Sequence, residues 1–309
     1  MRFLITGISG FVGQHLETFL SYHGNSVFGT SRIESEKTNY FHLDLLSEEQ
    51  IIRLLKDVKP SHIIHLAGIS NVKSSWNMKR EVMEANIIAT INLLEAVKKV
   101  NKSIRVITIG SSEEYGHGNS LENKLSEEDQ LNPISPYGIS KVGVSMLSRQ
   151  YYKTENLDVI HIRPFNHIGP GQRLGFVTSD FAFQIATLTK NYKEKNQIKV
   201  GNLEAIRDFT DVRDIVEAYY EIAIHGDAGE VYNVCSGKGT KIEVILDILL
   251  SFSKCPIEKI FDNSKMRPVE VPLIIGNNKK LLDHIGWKPK ISLEQSLHNI
   301  YQYWFNKIH

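Results

Sequence analysis

The sequence predicts an α/β protein: a doubly wound parallel sheet covered by helices, with a smaller α/β domain interleaved into it. Three observations carry this. Short apolar runs alternate with amphipathic stretches through the first half, the pattern of a parallel sheet covered by helices. The first run leads straight into a glycine-spaced turn, Gly7-Ile8-Ser9-Gly10-Phe11-Val12-Gly13, that opens a helix. After Arg163-Pro164 the rhythm breaks, and elements resume with a different spacing.

The elements follow in order. Strands are predicted at Arg2–Thr6, Ser26–Thr30, Tyr40–Leu43, His62–Leu66, Arg105–Ile109 and Val159–Ile162. Helices are predicted near Phe11–His23, Glu48–Val58, Arg80–Val100 and Pro136–Lys153; within the third, Ile87, Ile91, Leu94 and Val97 recur at helical spacing. Parallel strands joined by helices cross over right-handed, which gives the doubly wound sheet. Asn166–Arg173, rich in Gly and Pro, reads as a loop. Beyond it lie helices near Thr178–Lys190, Val212–Ala223, Ile242–Phe252 and Leu293–Phe305, and strands near Ile198–Val200 and Val231–Val234. This divides the chain into a sheet domain of residues 1–165 with about 206–234, and a second domain of about 166–205 with 235–309.

A chain of 309 residues can bury a substantial core, and its 41% hydrophobic and 23% charged residues are ordinary for a globular protein. A formal net charge of +1 gives no electrostatic case for nucleic acid or a membrane surface as partner. Cys235 and Cys255 are too few for a disulfide framework and too far apart for a zinc site, which points to a reducing cytoplasm. The first residues are too short an apolar stretch for a signal peptide, and no apolar run is long enough to span a bilayer. No metal signature appears among the histidines.

The glycine turn is suited to a dinucleotide. Gly7 permits the tight turn, Gly10 lets the backbone approach a pyrophosphate, and Gly13 allows close packing of the helix. The helix N-terminus presents free N–H groups to the phosphate. The second strand ends in Thr30-Ser31-Arg32, not in the carboxylate that would grip the ribose of NAD. Arg32 can pair with a 2′-phosphate and Ser31 can donate to it, so NADPH is the expected cofactor, with NADH tolerated. Asp44-Leu45 could flank the adenine, and Asp44 is equally suited to cap the next helix.

Tyr137 and Lys141 stand at i and i+4 on one helix face. A free tyrosine, with a pKa of about 10, is a poor acid or base at neutral pH, and a nearby ammonium lowers that value. Such a tyrosine can protonate the alkoxide formed when hydride adds to a carbonyl. Ser111 and Ser112 follow the fifth strand, where a hydroxyl can hold a carbonyl oxygen or cap a turn.

Taken together, Thr6–Gly13, His65-Leu66-Ala67-Gly68, Asn86, Ser111-Ser112-Glu113-Glu114-Tyr115-Gly116, Ser135–Lys141 and Arg163-Pro164-Phe165-Asn166 resemble the extended short-chain dehydrogenase/reductase family over almost the whole chain. The resemblance implies a Rossmann-type sheet, a homodimer, and Ser111, Tyr137 and Lys141 as the catalytic residues. It places Phe11, Val12, Leu66, Ala67, Gly68, Asn86 and Pro164 on the cofactor. The second half resembles the branch that processes GDP-mannose, through Asn166-His167, Gly175–Thr178, Val200–Leu203, Arg207–Asp214 and Arg267–Val271. That implies a GDP-linked 4-keto-6-deoxy sugar as partner, reduced at C4 to GDP-D-rhamnose or its talose epimer. Its contacts would be Ser111, Ser112, Glu113, Asn166, Val177, Gly201, Arg207, Arg267, Pro268, Val269 and Glu270. The two arginines suit a diphosphate, and Glu270 can accept from a ribose or guanine.

The alternative within the branch is a lyase, a 4,6-dehydratase of GDP-mannose. Glu113 stands where such enzymes keep a glutamate that helps remove a proton from C5. Gly169-Pro170-Gly171-Gln172, Ser179-Asp180 and Phe209-Thr210-Asp211-Val212 depart from their pattern. A non-catalytic NADP-binding regulator is the remote third reading.

Overall fold

The computed structural model describes residues 1–116, 124–191, 196–265 and 271–308. Its main sheet holds seven parallel strands: β1 Arg2–Thr6, β2 Ser26–Ser31, β3 Tyr40–His42, β4 His62–His65, β5 Arg105–Ile109, β6 Val159–Pro164 and β10 Val231–Val234. Their spatial order is β3-β2-β1-β4-β5-β6-β10. The order reverses between β1 and β4, and this opens a crevice at the carboxyl ends of those strands. The Rossmann-type fold read from the sequence is therefore present.

Alternation along β1 shows why the runs are wholly apolar. Phe3 and Ile5 face one core with Leu16 and Leu20 of α1 (Phe11–Tyr22) and Ile215, Tyr219 and Ile222 of α8 (Val212–His225). Leu4 faces the other, with Leu54 and Leu55 of α2 (Glu48–Val58), Leu93 and Val97 of α5 (Ala89–Val100) and Tyr151 of α6 (Pro136–Glu155). A parallel sheet buried on both faces needs apolar residues at every position.

Two short helices, α3 (Val72–Ser75) and α4 (Lys79–Met83), precede α5. The single helix expected over Arg80–Val100 is instead α4, a π-turn at Glu84–Ile88, and α5. The wider π-turn shifts the helical phase and buries Asn86, which apolar periodicity cannot reveal. Helix α6 starts as its sequence dictates, with Pro136 in the first turn and the Ser135 hydroxyl accepting from the Gly138 N–H at 3.0 Å.

The second body is built on β9 (Ile206–Asp211), which pairs with β7 (Asn166–Ile168), β11 (Gly239–Lys241) and β13 (Leu273–Ile274). A separate parallel pair joins β8 (Gln197–Val200) to β12 (Glu258–Phe261). Helices α7 (Val177–Lys190), α9 (Ile242–Ser251) and α11 (Leu293–Lys307) bury Phe181, Ile185, Ile245, Leu249, Ile300 and Trp304 together. Helix α10 (Lys279–Ile285) returns to the main core through Leu281.

Two differences from the sequence expectation concern β7 and β9. The segment read as a loop begins with β7, too short for any periodic pattern. Ile206–Asp211, assigned to the sheet domain, is the central strand of the small sheet, and the chain returns to the main core at Val212. Strand β9 hides from a hydrophobic pattern because it buries Arg207 and Asp208. The Asp208 carboxylate accepts from the backbone N–H of Ser236 and Gly237, each at 2.9 Å, and of Gly276 at 3.2 Å. These bonds satisfy a charge that could not otherwise be buried.

Candidate active site

The glycine turn sits at the crevice. The Thr30 carbonyl at the end of β2 accepts from the Gly7 and Ile8 N–H groups at 3.0 and 3.1 Å. Gly7 takes a φ of +73°, and a β-carbon on it would lie 3.0 Å from the Ala67 backbone. Gly10 begins α1 without a capping side chain, and the first turn of the helix holds no acidic residue. The first-turn N–H groups therefore remain suited to an anion, and the cradle fits a pyrophosphate.

Beyond the turn, Ala67 donates to the Thr6 hydroxyl at 3.1 Å, and Thr6 meets His65 Nδ1 at 2.7 Å. Burial pushes the His65 pKa down to about 3, so this ring is a neutral spacer. Asn86 accepts from the Ile69 N–H at 2.8 Å and donates to Ser140 at 2.8 Å. Its amide thus shapes the Leu66-Ala67-Gly68 turn.

Arg32 is exposed at the end of β2. Ser31 is turned inward: its hydroxyl lies 3.0 Å from that of Ser9 and accepts from the Ile33 N–H at 3.0 Å. The turn thus engages the Ser31 hydroxyl, while the Arg32 side chain stands exposed beside it. Asp44 closes its own turn by accepting from the Leu46 N–H at 3.0 Å, next to Leu45, while Ser47 is the residue at the start of α2.

Ser111, Tyr137 and Lys141 come together at the carboxyl end of β5, all three buried. Ser111 begins a 3-10 turn, Ser112–Glu114, and its hydroxyl accepts from the Glu113 N–H at 3.2 Å. Ser111 also acts on the Tyr137 phenol, drawing its pKa down, while its hydroxyl caps the turn. Lys141 Nζ donates to the Ile109 carbonyl at 2.7 Å and lies 5.8 Å from the centre of the Tyr137 ring. Burial pushes the Lys141 pKa down to about 8, against the pull of Glu114.

The lysine was expected to depress the tyrosine pKa. Here burial pushes the Tyr137 phenol well up, Ser111 acts the other way, and the Glu113 and Glu114 charges add to the rise. The ammonium is directed at a carbonyl and does not overcome this. Tyr137 is accordingly a protonated phenol, ready to donate.

Facing these residues is a narrow cleft between the two bodies. Glu113, Ser135 and Ile134 line one wall, Val72 and Trp76 extend it, and Arg207, Val271 and Ile274 form the other. Arg207 is thus brought opposite Glu113 by its place in β9, paired with Ile274 of β13 and Thr240 of β11. Asn166 pairs with Phe209 in the same sheet. Ser112 lies in the 3-10 turn, Pro164 ends β6, Val177 opens α7 and Gly201 follows β8. Arg267, Pro268, Val269 and Glu270 lie outside the described residues.

Sequence reasoning missed Val72 and Trp76, and Ser75, whose hydroxyl accepts from the Tyr137 N–H at 3.3 Å. The local sign is Asn71, which caps α3 by accepting from the Ser74 N–H at 2.9 Å. Gly29 was missed as well: a β-carbon there would meet Ile8 at 2.4 Å.

The family model described as GDP-mannose 4,6 dehydratase matches residues 4–300, a span that takes in both walls of the cleft. The chain belongs to the GDP-mannose 4,6 dehydratase family. This bears out the resemblance read from the motifs. GDP-6-deoxy-D-mannose reductase of Pseudomonas aeruginosa is 34% identical over 307 residues, covering 99% of this chain and 98% of that protein. GDP-6-deoxy-D-talose 4-dehydrogenase of Aggregatibacter actinomycetemcomitans is 28% identical, covering 93% and 92%. The solved structure of RMD from Pseudomonas aeruginosa complexed with NADPH matches with a TM-score of 0.89, 34% identity and 100% of both chains covered. Relatives of this chain in and around the GDP-mannose 4,6 dehydratase family thus include oxidoreductases as well as lyases.

Proposed function

We propose that this chain is a reductase that uses NADPH to reduce the C4 keto group of GDP-4-keto-6-deoxy-D-mannose, giving GDP-D-rhamnose. The observation that carries it is the buried group of Ser111, Tyr137 and Lys141 at the carboxyl end of β5, with Lys141 one helical turn from Tyr137, beside a glycine cradle. Full-length likeness to a GDP-6-deoxy-D-mannose reductase supports the substrate class.

The glycine turn would hold the cofactor pyrophosphate, Arg32 its 2′-phosphate and Lys141 its nicotinamide ribose. Bound NADPH supplies the hydride for C4. Ser111 holds the keto oxygen, which gains negative charge as C4 is reduced. Tyr137 gives that oxygen its proton and regains one from solvent. Arg207, across the cleft, would meet the diphosphate.

Incubation with GDP-4-keto-6-deoxy-mannose and NADPH tests this, with reduced-cofactor absorbance and product stereochemistry as readouts. Stoichiometric oxidation is expected; none, with folded protein and bound cofactor, overturns the proposal. The position of Glu113 in the cleft favours a second reading, the dehydratase. That reading requires GDP-mannose alone to yield the 4-keto sugar with no net cofactor use.

Arg32→Ala should weaken NADPH about 10- to 100-fold, the worth of a hydrogen bond between charged groups, and leave NADH affinity unchanged. Comparative KM measurements decide it. Reductive turnover should be level up to about pH 8 and fall above it, because Lys141 loses its charge there. A profile flat to about pH 10 would remove that role for Lys141.

We also infer a homodimer. Ile88, Ile139, Met146 and Tyr152 are large apolar side chains exposed along the π-turn and α6. Met146→Glu should convert the dimer to monomer in sedimentation experiments. Among the described residues no helix is long and apolar enough to cross a membrane. A cytoplasmic site of action is supported by the free thiols of Cys235 and Cys255.

A further inference from the structure

Behind Ser111 lies a buried charge network that the mechanism above does not use. Glu114 is fully buried. Its Oε1 accepts from the Ser111 N–H at 2.9 Å and meets His161 Nε2 at 3.1 Å, while Oε2 accepts from Arg163 Nε at 2.8 Å. Arg163 in turn donates to the Tyr115 hydroxyl at 3.0 Å and to Ser145 at 3.3 Å, one turn beyond Lys141 on α6. Tyr115 donates to Asn233 of β10 at 2.7 Å. One ion pair therefore ties the turn that starts at Ser111 to β6, β10 and the helix of Tyr137 and Lys141.

The backbone is shaped around it. A β-carbon at Gly110 would fall 2.0 Å from Glu114 Oε1 and 2.4 Å from His161 Nε2. Only glycine lets the carboxylate sit under the Ser111 amide. Burying an ion pair is a poor way to gain stability, since apolar residues of similar volume do as well or better. Here one of its bonds holds the backbone N–H of Ser111.

We propose that Glu114, paired with Arg163, is a positioning residue that fixes the Ser111 backbone and so aims the Ser111 hydroxyl at Tyr137 and the keto oxygen. With the amide held by Glu114, the Ser111 hydroxyl accepts from the Glu113 amide, and Ser111 is buried together with Tyr137. The carboxylate has a second effect. Around Lys141 stand Tyr137 on its own helix, His65 on β4, His161 on β6 and Glu114. Glu114 is the anion among them, and it favours the charged lysine. Burial works to raise the pKa of Glu114, but His161 and Arg163 outweigh it and hold the carboxyl below its ordinary range.

The kinetic arm of the test rests on the reductase proposal; the exchange arm does not. Two double variants, E114L/R163M and E114Q/R163M, both remove the ion pair without leaving a lone charge. Only glutamine keeps an acceptor for the Ser111 amide. E114L/R163M is expected to lose about 10- to 100-fold in kcat, the effect of a small misplacement, with the KM for the sugar nucleotide unchanged. Hydrogen exchange at residues 110–116 should quicken, and E114Q/R163M should recover most of the protection and of kcat. In both variants the alkaline limb moves to lower pH.

Equal kcat and equal exchange in the two doubles would overturn the proposal, as would wild-type values in E114L/R163M. If the wild type shows no reductase activity, the functional proposal fails, while the exchange contrast still decides whether Glu114 holds Ser111. Glu114→Asp is the milder variant should a double variant not fold. It keeps the charge and draws the carboxylate back by one methylene, so kcat should fall while melting stays cooperative; an unchanged kcat overturns the proposal.

Discussion

Tyr137→Phe should lower kcat by about 10²- to 10⁴-fold, the range for losing a positioned general acid. The phenol is buried beside Ser111 and Lys141, and burial holds its pKa up, so it carries the proton that the alkoxide would take. Phenylalanine fills the same space, and the ring keeps its packing. Cofactor affinity should change by less than about twofold, since the glycine turn and Arg32 are untouched. Steady-state kinetics with a fluorescence titration of NADPH separate the two quantities. Turnover within about tenfold of wild type would mean that another group, or water, supplies the proton.

Gly13→Ala should cripple cofactor binding and destabilise the fold. Its β-carbon would lie 2.6 Å from the carbonyl oxygens of both Gly7 and Ile8. Those are backbone atoms, and they cannot rotate away as a side chain can. Either α1 backs off the turn or the turn opens, and α1 is held by Leu16 and Leu20 in the main core. Overpacking of this kind costs about 1–3 kcal/mol. The displaced N–H groups should weaken NADPH by at least about tenfold, because the cradle works only when its dipoles converge. Gly24→Ala is the control. Gly24 has a φ of +71° but nothing within 4 Å of an added β-carbon, so only backbone strain is introduced. A melting curve and a titration on both variants distinguish crowding at the cradle from a general glycine effect.

The parts legible in the sequence are those whose physics is local. Strand β1 announces itself because a strand buried on both faces must be apolar throughout, and Gly7 because a positive φ between strand and helix requires it. Tyr137 and Lys141 are visible because helical spacing puts them on one face. What stayed hidden depends on partners distant in sequence. Sequence could not show that Ser9 and Ile33 engage the Ser31 hydroxyl. The effect of Lys141 on Tyr137 was read from spacing, but burial and the direction of the ammonium set the outcome. Strand β9 carries a buried arginine and aspartate, and the loops at Ser236 and Gly276 satisfy the aspartate.

The strand order of the main sheet bears on how the chain is made. Strand β6 is buried along its whole length between β5 and β10, and β10 is encoded well after it. At about 5–20 residues per second, a ribosome leaves β6 as an open edge for several seconds. During that interval Val159, Ile160 and Ile162 belong to a strand whose outer edge is unpaired, the usual template for wrong association. The small body intervenes in synthesis, yet β9 lacks β13 until still later. Nascent chains of this protein therefore have a vulnerable window that ends only when Val231–Val234 docks, and slowed translation or a bound chaperone would act on yield there rather than on the stability of the finished enzyme.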